Sequence, residues 1–205
     1  MLNCTCPAST TLTTIPPVTC AENFGQIQKV AFQRLKDASG NRNKFSVTDI
    51  ALESTWTSAK TATDATKVVI SPYIQAPTGE AGDAITFGGG NETLGGVEII
   101  IGRNPSSFTS VMRGIPQNVI KVMKELQCEA QAGNLGVFLF DDNGNIECVK
   151  ENADCYPIPI ASLFIGDKTH GGLEAPDSNA LNWSFPPNYS DNLDIVNPAF
   201  NPLDL

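Results

Sequence analysis

One histidine, His170, stands in the whole chain, and no apolar run reaches the roughly 18 residues of a membrane-spanning helix. The first scarcity excludes any metal site built on two or more histidines. It also leaves a hydrolytic triad with a single candidate base, and neither G-x-S-x-G nor H-E-x-x-H occurs to receive it. The second gives no expectation of a membrane anchor. Charged side chains are scarce too, at 17% of residues against about 25% in ordinary soluble domains. Asn, Thr, Ser and Gly supply the polar surface instead, a bias that suits β-structure, long loops and surfaces meeting other protein. Thirteen basic residues face twenty-two acidic ones, and the formal charge of −9 argues against a grip on nucleic-acid phosphates, which rests on Lys and Arg.

No C-x2-C pair occurs among the six cysteines, Cys4, Cys6, Cys20, Cys128, Cys148 and Cys155. In a reducing compartment they read as buried thiols rather than disulfides. Cys4, Cys6 and Cys20 have atypical spacing for zinc and no histidine beside them, so no metal or cofactor is expected. The start, "MLNCTCPAST", has neither the charged nor the apolar region of a secretory signal. The expected place of synthesis is therefore a cytoplasm.

What is present reads as an apolar-rich domain between two arms. With 205 residues and 41% hydrophobic side chains, one generous core can form. Residues 1–23 are Thr-, Cys- and Pro-rich without periodicity, and Pro16-Pro17 favours extended backbone, so they read as an N-terminal arm. Residues 24–187 form the expected β-rich core, beginning with a strand in "FGQIQKVAFQRL". A helix is expected near 49–62, with Thr48 or Asp49 as its cap. A clearer one lies near 116–131, where Val119, Val122, Met123 and Leu126 form one stripe to lay on a sheet. "TKVVISPYI", "DAITF", "VEIII", "YPIPIASLFIG" and "ALNWSFP" read as strands, and "LGVFLFDDNGNIECV" as a hairpin turning on Asp141-Asp142-Asn143-Gly144. Residues 188–205 are proline-punctuated but carry Tyr189, Leu193, Ile195, Phe200 and Leu203, anchors that a disordered tail lacks. They read as a C-terminal arm. The expected class is α+β or mainly β: a sandwich or barrel of about seven to eight strands with a helix packed on one sheet.

The stretch "ITFGGGNETLGGVEIIIG", residues 85–102, holds six glycines. Gly90 and Gly95 have the spacing of a Walker loop, but Gly96-Val97 stand where Lys and a hydroxyl are needed, and Glu92 adds negative charge. Gly88 and Gly90 lack the third glycine of a dinucleotide fingerprint, Thr93 standing there. The following segment is β-branched, a strand rather than the helix whose N-terminus holds phosphate. The glycines therefore read as a hairpin connection, one that would be a liability on a solitary globule.

Other chemistry is thin. His170 sits in "GDKTHGGLEAPDSN", a loop sequence, and a Cys–His couple is a formal alternative. Asp141 and Asp142 could be read as a carboxylate pair, though a hairpin tip predicts a solvated turn. "DDNGNIE" lacks the spaced acidic ligands of a calcium loop. Trp56, Trp183, Phe185 and Tyr189 could form a carbohydrate platform, against the plainer reading as core or interface anchors. No catalytic, cofactor-binding or metal-binding residue is assigned, and the expectation is a protein that is not an enzyme.

Taken in order, "FGQIQKVAFQRL", "TDIALESTWTSAKTATDATKVVISPYI", "GEAGDAITFGGGNETLGG" and "LNWSFPPNYSDNLDIVNPAFNPLDL" resemble structural proteins of tailed bacteriophages. They are most similar to tail tube (major tail) subunits from Bacteroidetes-infecting phages, or to related ring proteins. The resemblance implies a β-sandwich or barrel subunit with a flanking helix, hexameric rings that stack through loops and arms, other virion tail proteins as partners, and a location in the virion after synthesis in the host cytoplasm. It also implies a conduit through which DNA passes without specific binding, which the acidic balance suits. Two other classes stand beside it: a ligand- or carbohydrate-binding β-domain such as a virion-surface adhesin, and a Cys-dependent enzyme.

Overall fold

The structure, a computed structural model, describes residues 14–18 and 24–205. The expected N-terminal arm, 1–23, lies outside the described residues apart from 14–18, which have no regular secondary structure. The described residues are mainly β, with antiparallel sheets and two α-helices. Among the described residues there are fourteen strand segments rather than the seven or eight expected, because several are pieces of two or three residues.

The main sheet is built on β1 (Ile27–Arg34), β2 (Phe45–Ser46), β3 (Val68–Ile70), β8 (Leu135–Asp141), β9 (Ile146–Glu151) and β10 (Asp154–Tyr156), in the order β2-β10-β9-β8-β1-β3. β11 (Ile158–Pro159) adds to β8, and β14 (Leu193–Val196) adds to β9. Every residue of β8 is buried. The pleat sends Leu135, Val137 and Leu139 to one core, and Phe138 and Phe140 to another. That is why "LGVFLF" shows no alternation: a strand covered on both faces is apolar throughout.

The first core lies between the main sheet and a second one. The second sheet contains β4 (Gln75–Glu80), β7 (Ser106–Arg113), β12 (Ala161–Ile165) and β13 (Ser178–Phe185), in the order β12-β13-β7-β4. Val30, Phe32, Val137 and Leu139 face Phe108, Met112, Leu181, Trp183 and Phe185 across it. Helix α2 (Gln117–Gln131) packs on β12 and β8 and closes this core with Ile120, Met123 and Ala130. The expected stripe is displaced: Val122 is 59% exposed, and Ile120 takes the inward place. Ile120, Met123 and Ala130 share one face at helical spacing, whereas Val122 stands about 100° round the helix from Met123.

The second core covers the opposite face. Ala31, Phe138, Phe140, Ile146, Cys148 and Cys155 meet Ile50 together with Trp56 and Ala59 of helix α1 (Glu53–Thr61). The Trp56 indole N–H donates to the Ile50 carbonyl at 2.8 Å. Neither Thr48 nor Asp49 caps α1; a turn over 46–52 intervenes, and Leu52 is the capping residue. The C-terminal residues Val196, Phe200, Leu203 and Leu205 fill the rest of this core. The Lys29 ammonium donates to the Leu203 carbonyl at 2.6 Å and Lys60 donates to that of Leu205. Residues 188–205 thus lie docked on their own chain.

Candidate assembly surfaces

Among the described residues, strands β5 (Ala84–Gly88) and β6 (Glu98–Arg103) pair only with each other. They prolong the β4–β7 pair beyond the sheet: Glu80 faces Ser107, Asn104 N–H donates to the Asp83 carbonyl, and Ala84 faces Arg103. The two halves of this ribbon meet closely at Gly82, where a Cβ would stand 1.9 Å from the Asn104 carbonyl oxygen. Glycine is the residue that allows the crossing. The paired part reaches about 17 Å past that point, at roughly 3.4 Å per residue.

The hairpin is apolar where water should meet it. Ile85, Phe87, Val97, Ile99, Ile100 and Ile101 are each between 40% and 61% exposed. Phe87 pairs with Ile99, and Thr86 pairs with Ile100, so the two pairs lie on opposite faces of the ribbon. A register shift between Ile85 and Thr86 leaves Ile101 as the extra residue. The tip is a self-contained turn. Thr93 Oγ1 accepts from Gly89 N–H at 3.2 Å and donates to the Val97 carbonyl at 2.6 Å, while Gly88, Gly89, Gly90, Gly95 and Gly96 supply positive φ angles. One short 3-10 turn, Leu94–Gly96, broken at Gly95, and then a strand follow, so the loop leads into no α-helix whose N-terminus could cradle phosphate.

The second surface is the outer face of the β12-β13-β7-β4 sheet. Since Phe108, Ser110, Met112, Leu181, Trp183 and Phe185 point inward, the alternate positions point out. The register places Phe164, Asn182, Thr109 and Thr78 in one row, then Ala161, Ser184, Ser107 and Glu80 in the next. Ala180, Val111 and Gln75 form a third, and Ser178 with Arg113 a fourth. Only Glu80 and Arg113 carry charge among these, and they sit at opposite ends. Among the described residues no strand pairs with the outer edge of β4. The β12 edge is partly occupied by Gln127 of α2, whose side-chain oxygen accepts from the Ile165 N–H at 3.2 Å.

Residues singled out in the sequence fall elsewhere. His170 is 80% exposed, with Nδ1 3.2 Å from the Asp177 carboxylate, and Lys168 reaches the same carboxylate at 3.5 Å. The His170 hydrogen bond holds Asp177 below the usual carboxylate range. This cluster braces the β12–β13 loop. Cys148 and Cys155 are sealed in the second core, and the sulfur contact with Cys155, together with burial, pushes the Cys148 thiol up, away from a ready thiolate. Cys128 is exposed on α2. Cys4, Cys6 and Cys20 lie outside the described residues, and among the described residues no group of three or more His, Cys, Asp and Glu is placed to hold a metal ion.

Asp141 overturns the expected solvated turn. It is wholly buried and accepts from Gly25 N–H at 2.7 Å, Asn145 N–H at 2.6 Å and Asn145 Nδ2 at 2.9 Å. Asp142 takes Gln26 N–H at 2.9 Å. The two carboxylates clasp the chain where it enters the core, and a Cβ at Gly25 would lie 1.8 Å from Asp142 Oδ1. The carbohydrate platform also fails. Trp56 and both Trp183 and Phe185 are buried, the latter two in an aromatic stack with Phe108 and Tyr189.

No protein-family model matches this sequence, and no curated protein is similar to it. Among solved structures, the chain is similar to a component of the tail of an empty GTA particle with C6 symmetry, at 12% identity over 59% of this chain and 80% of that one, with a TM-score of 0.33. It is also similar to a component of the six-fold symmetrised baseplate of the anti-feeding prophage, at 8% identity over 92% of this chain and 100% of that one, with a TM-score of 0.36. Both superpositions are loose.

Proposed function

We propose that this protein is a virion structural subunit that assembles with copies of itself into rings, stacked as a tail tube of a phage. The observation that carries the reading is the β5–β6 hairpin, which exposes apolar side chains on both faces and, among the described residues, pairs with no other strand. An isolated two-stranded hairpin is marginal in water, and a long apolar one with free edges invites pairing. A neighbouring copy that covers it removes both liabilities, and a closed ring does so for every copy at once. The sequence resemblance to tail tube subunits supplies the class of assembly.

In this reading the outer face of the β12-β13-β7-β4 sheet lines the conduit. Small hydroxyl, methyl and amide side chains offer DNA no cationic handle, and phosphate binding depends on such handles. The free edge of β4 lies beside the base of the hairpin, so one neighbour can meet both. A carbohydrate-binding role gains nothing from the geometry, since both tryptophans are core residues.

Negative-stain electron microscopy of the purified chain tests the reading. Hollow rings or tubes are expected, with hairpin density bridging subunits. A monodisperse monomer at high concentration refutes self-assembly.

A further inference from the structure

We infer that a polar pocket between helix α1 and the main sheet binds a guanidinium group. The pocket, of about 240 Å³, is walled by Thr55 and Ser58 of α1, Phe45 of β2, and Asn43 and Thr66 from loops, with Gln33 of β1 beneath them. Gln33 is 2% exposed. Ala31 faces the second core and Phe32 the first, so the pleat turns Gln33 with Ala31 toward α1. Gln33 Nε2 donates to the Thr66 carbonyl at 2.8 Å, but among the described residues nothing donates to its Oε1. A buried acceptor without a donor is costly, so this oxygen favours a donor brought in by a ligand.

The other polar walls make the same demand. Asn43 commits both amide hydrogens to the Arg34 and Ala65 carbonyls, at 2.9 and 2.8 Å, which leaves its Oδ1 to accept. Ser58 Oγ donates to the Ser54 carbonyl at 2.9 Å, and Thr66 Oγ1 donates to Asp64 at 2.5 Å, so each keeps only lone pairs for the pocket. Thr55, three residues before Ser58, adds a hydroxyl on the same face of α1.

A ligand matching these walls donates repeatedly and accepts nothing. Guanidinium carries five N–H donors and no acceptor, and its planar face stacks on aromatic rings. Phe45 supplies the ring, held by Trp56 and Phe138 at centroid separations of 5.0 and 5.6 Å. Water satisfies the oxygens singly and takes no stacking from that ring. Lys44 also lines the pocket, but its ammonium is tied to Asp154 at 2.7 Å. With Asp64 behind Thr66, these three charges leave one carboxylate uncancelled, which favours a cationic ligand. The site is complete within one copy, so the inference stands apart from the assembly reading.

The test is saturation-transfer NMR on the full chain, which reads the ligand and works in any assembly state. Free arginine and acetyl-argininamide, a mimic of arginine within a chain, are titrated as two sources of the same group, and the tighter one names the source. Saturable millimolar binding is expected. Acetyl-lysinamide and the uncharged acetyl-citrullinamide should each bind at least about tenfold more weakly, the loss of one charge-assisted hydrogen bond. Gln33→Leu should weaken the tighter probe by a similar factor. So should Thr55→Ala with Ser58→Ala, a pair at helix positions that alanine suits, which keeps the test sound if Gln33→Leu fails to fold. Lysine or citrulline compounds binding as well as the arginine probes overturn the guanidinium assignment. Unchanged affinity in the folded α1 double variant places the ligand elsewhere and overturns the site. Absence of saturable binding leaves the pocket to water and overturns the inference outright.

Discussion

Replacing Phe87 and Ile99 together by serine removes an apolar cross-strand pair of the hairpin, and its effect on assembly can be worked from exposure. Phe87 is 51% exposed and Ile99 49%. Fully burying either side chain contributes about 1.5–3 kcal/mol, so the uncovered half leaves roughly 1 kcal/mol each to be gained when a neighbour covers it. The pair then contributes about 2 kcal/mol per interface, and the double variant should assemble about 30-fold less readily. The isolated fold should lose little, since an exposed cross-strand pair contributes roughly 0.2–1 kcal/mol. Sedimentation velocity over a concentration series reads the first quantity, and thermal unfolding of the dilute protein reads the second. Assembly changed by less than about threefold would show that this face is not covered. A loss of more than about 2 kcal/mol from the dilute protein would instead make the pair part of the fold, beyond what an exposed pair supplies.

Asp141→Ala should destabilise the fold by about 3 kcal/mol, since two backbone N–H groups and the Asn145 amide lose one buried acceptor; urea unfolding measures it. The Asp177 carboxyl, held down chiefly by His170, makes its brace fully above the ordinary pKa of about 3.9 and loses it as pH falls through the lower folded value. His170→Ala should therefore raise the Asp177 midpoint toward about 3.9, followed by carboxyl-carbon NMR. Among Cys128, Cys148 and Cys155, only Cys128 should react with a thiol reagent in the native protein, as read by peptide mapping, with Cys148 and Cys155 labelled after unfolding.

Legibility in the sequence followed where each side chain's environment left a pattern. α2 could be read because Pro116 opens it and one stripe is apolar. The β8–β9 hairpin could be read because apolar runs flank Asp-Asp-Asn-Gly, although the burial of Asp141 could not. Asn145 supplies two of its donors locally, but the third is Gly25, 116 positions away in sequence, and no local pattern records such a partner. β4 and β7 left weaker marks. "QAPTGE" has no buried apolar alternation, and "SSFTSVMR" alternates Phe108 and Met112 only with Ser, Thr and Val. These two strands carry half of the second sheet and the base of the hairpin. They were hard to see because a strand with a small, polar outer face resembles a Ser/Thr-rich loop. The glycine-rich hairpin itself was visible; its both-sided exposure was not, since "EIII" reads equally as a buried strand.

The chain's acidity and its candidate conduit surface separate in the structure. A net charge of −9 suited a channel that repels DNA. Yet the outer face of the second sheet, built from Ser107, Thr109, Asn182, Ser184 and their neighbours, carries Glu80 at one end and Arg113 at the other, with neutral residues between. Several acidic side chains are instead paired within the fold: Glu129 with Arg34, Glu151 with Arg42, Asp154 with Lys44, and Asp194 with Lys150. If this face lines the conduit, DNA passes because the wall between Glu80 and Arg113 offers no cation, rather than because it is pushed away. The two mechanisms differ in salt dependence, since repulsion between exposed charges is screened over about 8–10 Å at physiological ionic strength whereas a neutral wall is indifferent to it. A single Asn182→Lys change would place one cation per subunit in the middle of that face. In a ring these recur around the lumen, and assembled particles should then retain DNA at low salt and release it as salt rises. Unchanged DNA retention in intact Asn182→Lys rings would place the conduit on another face.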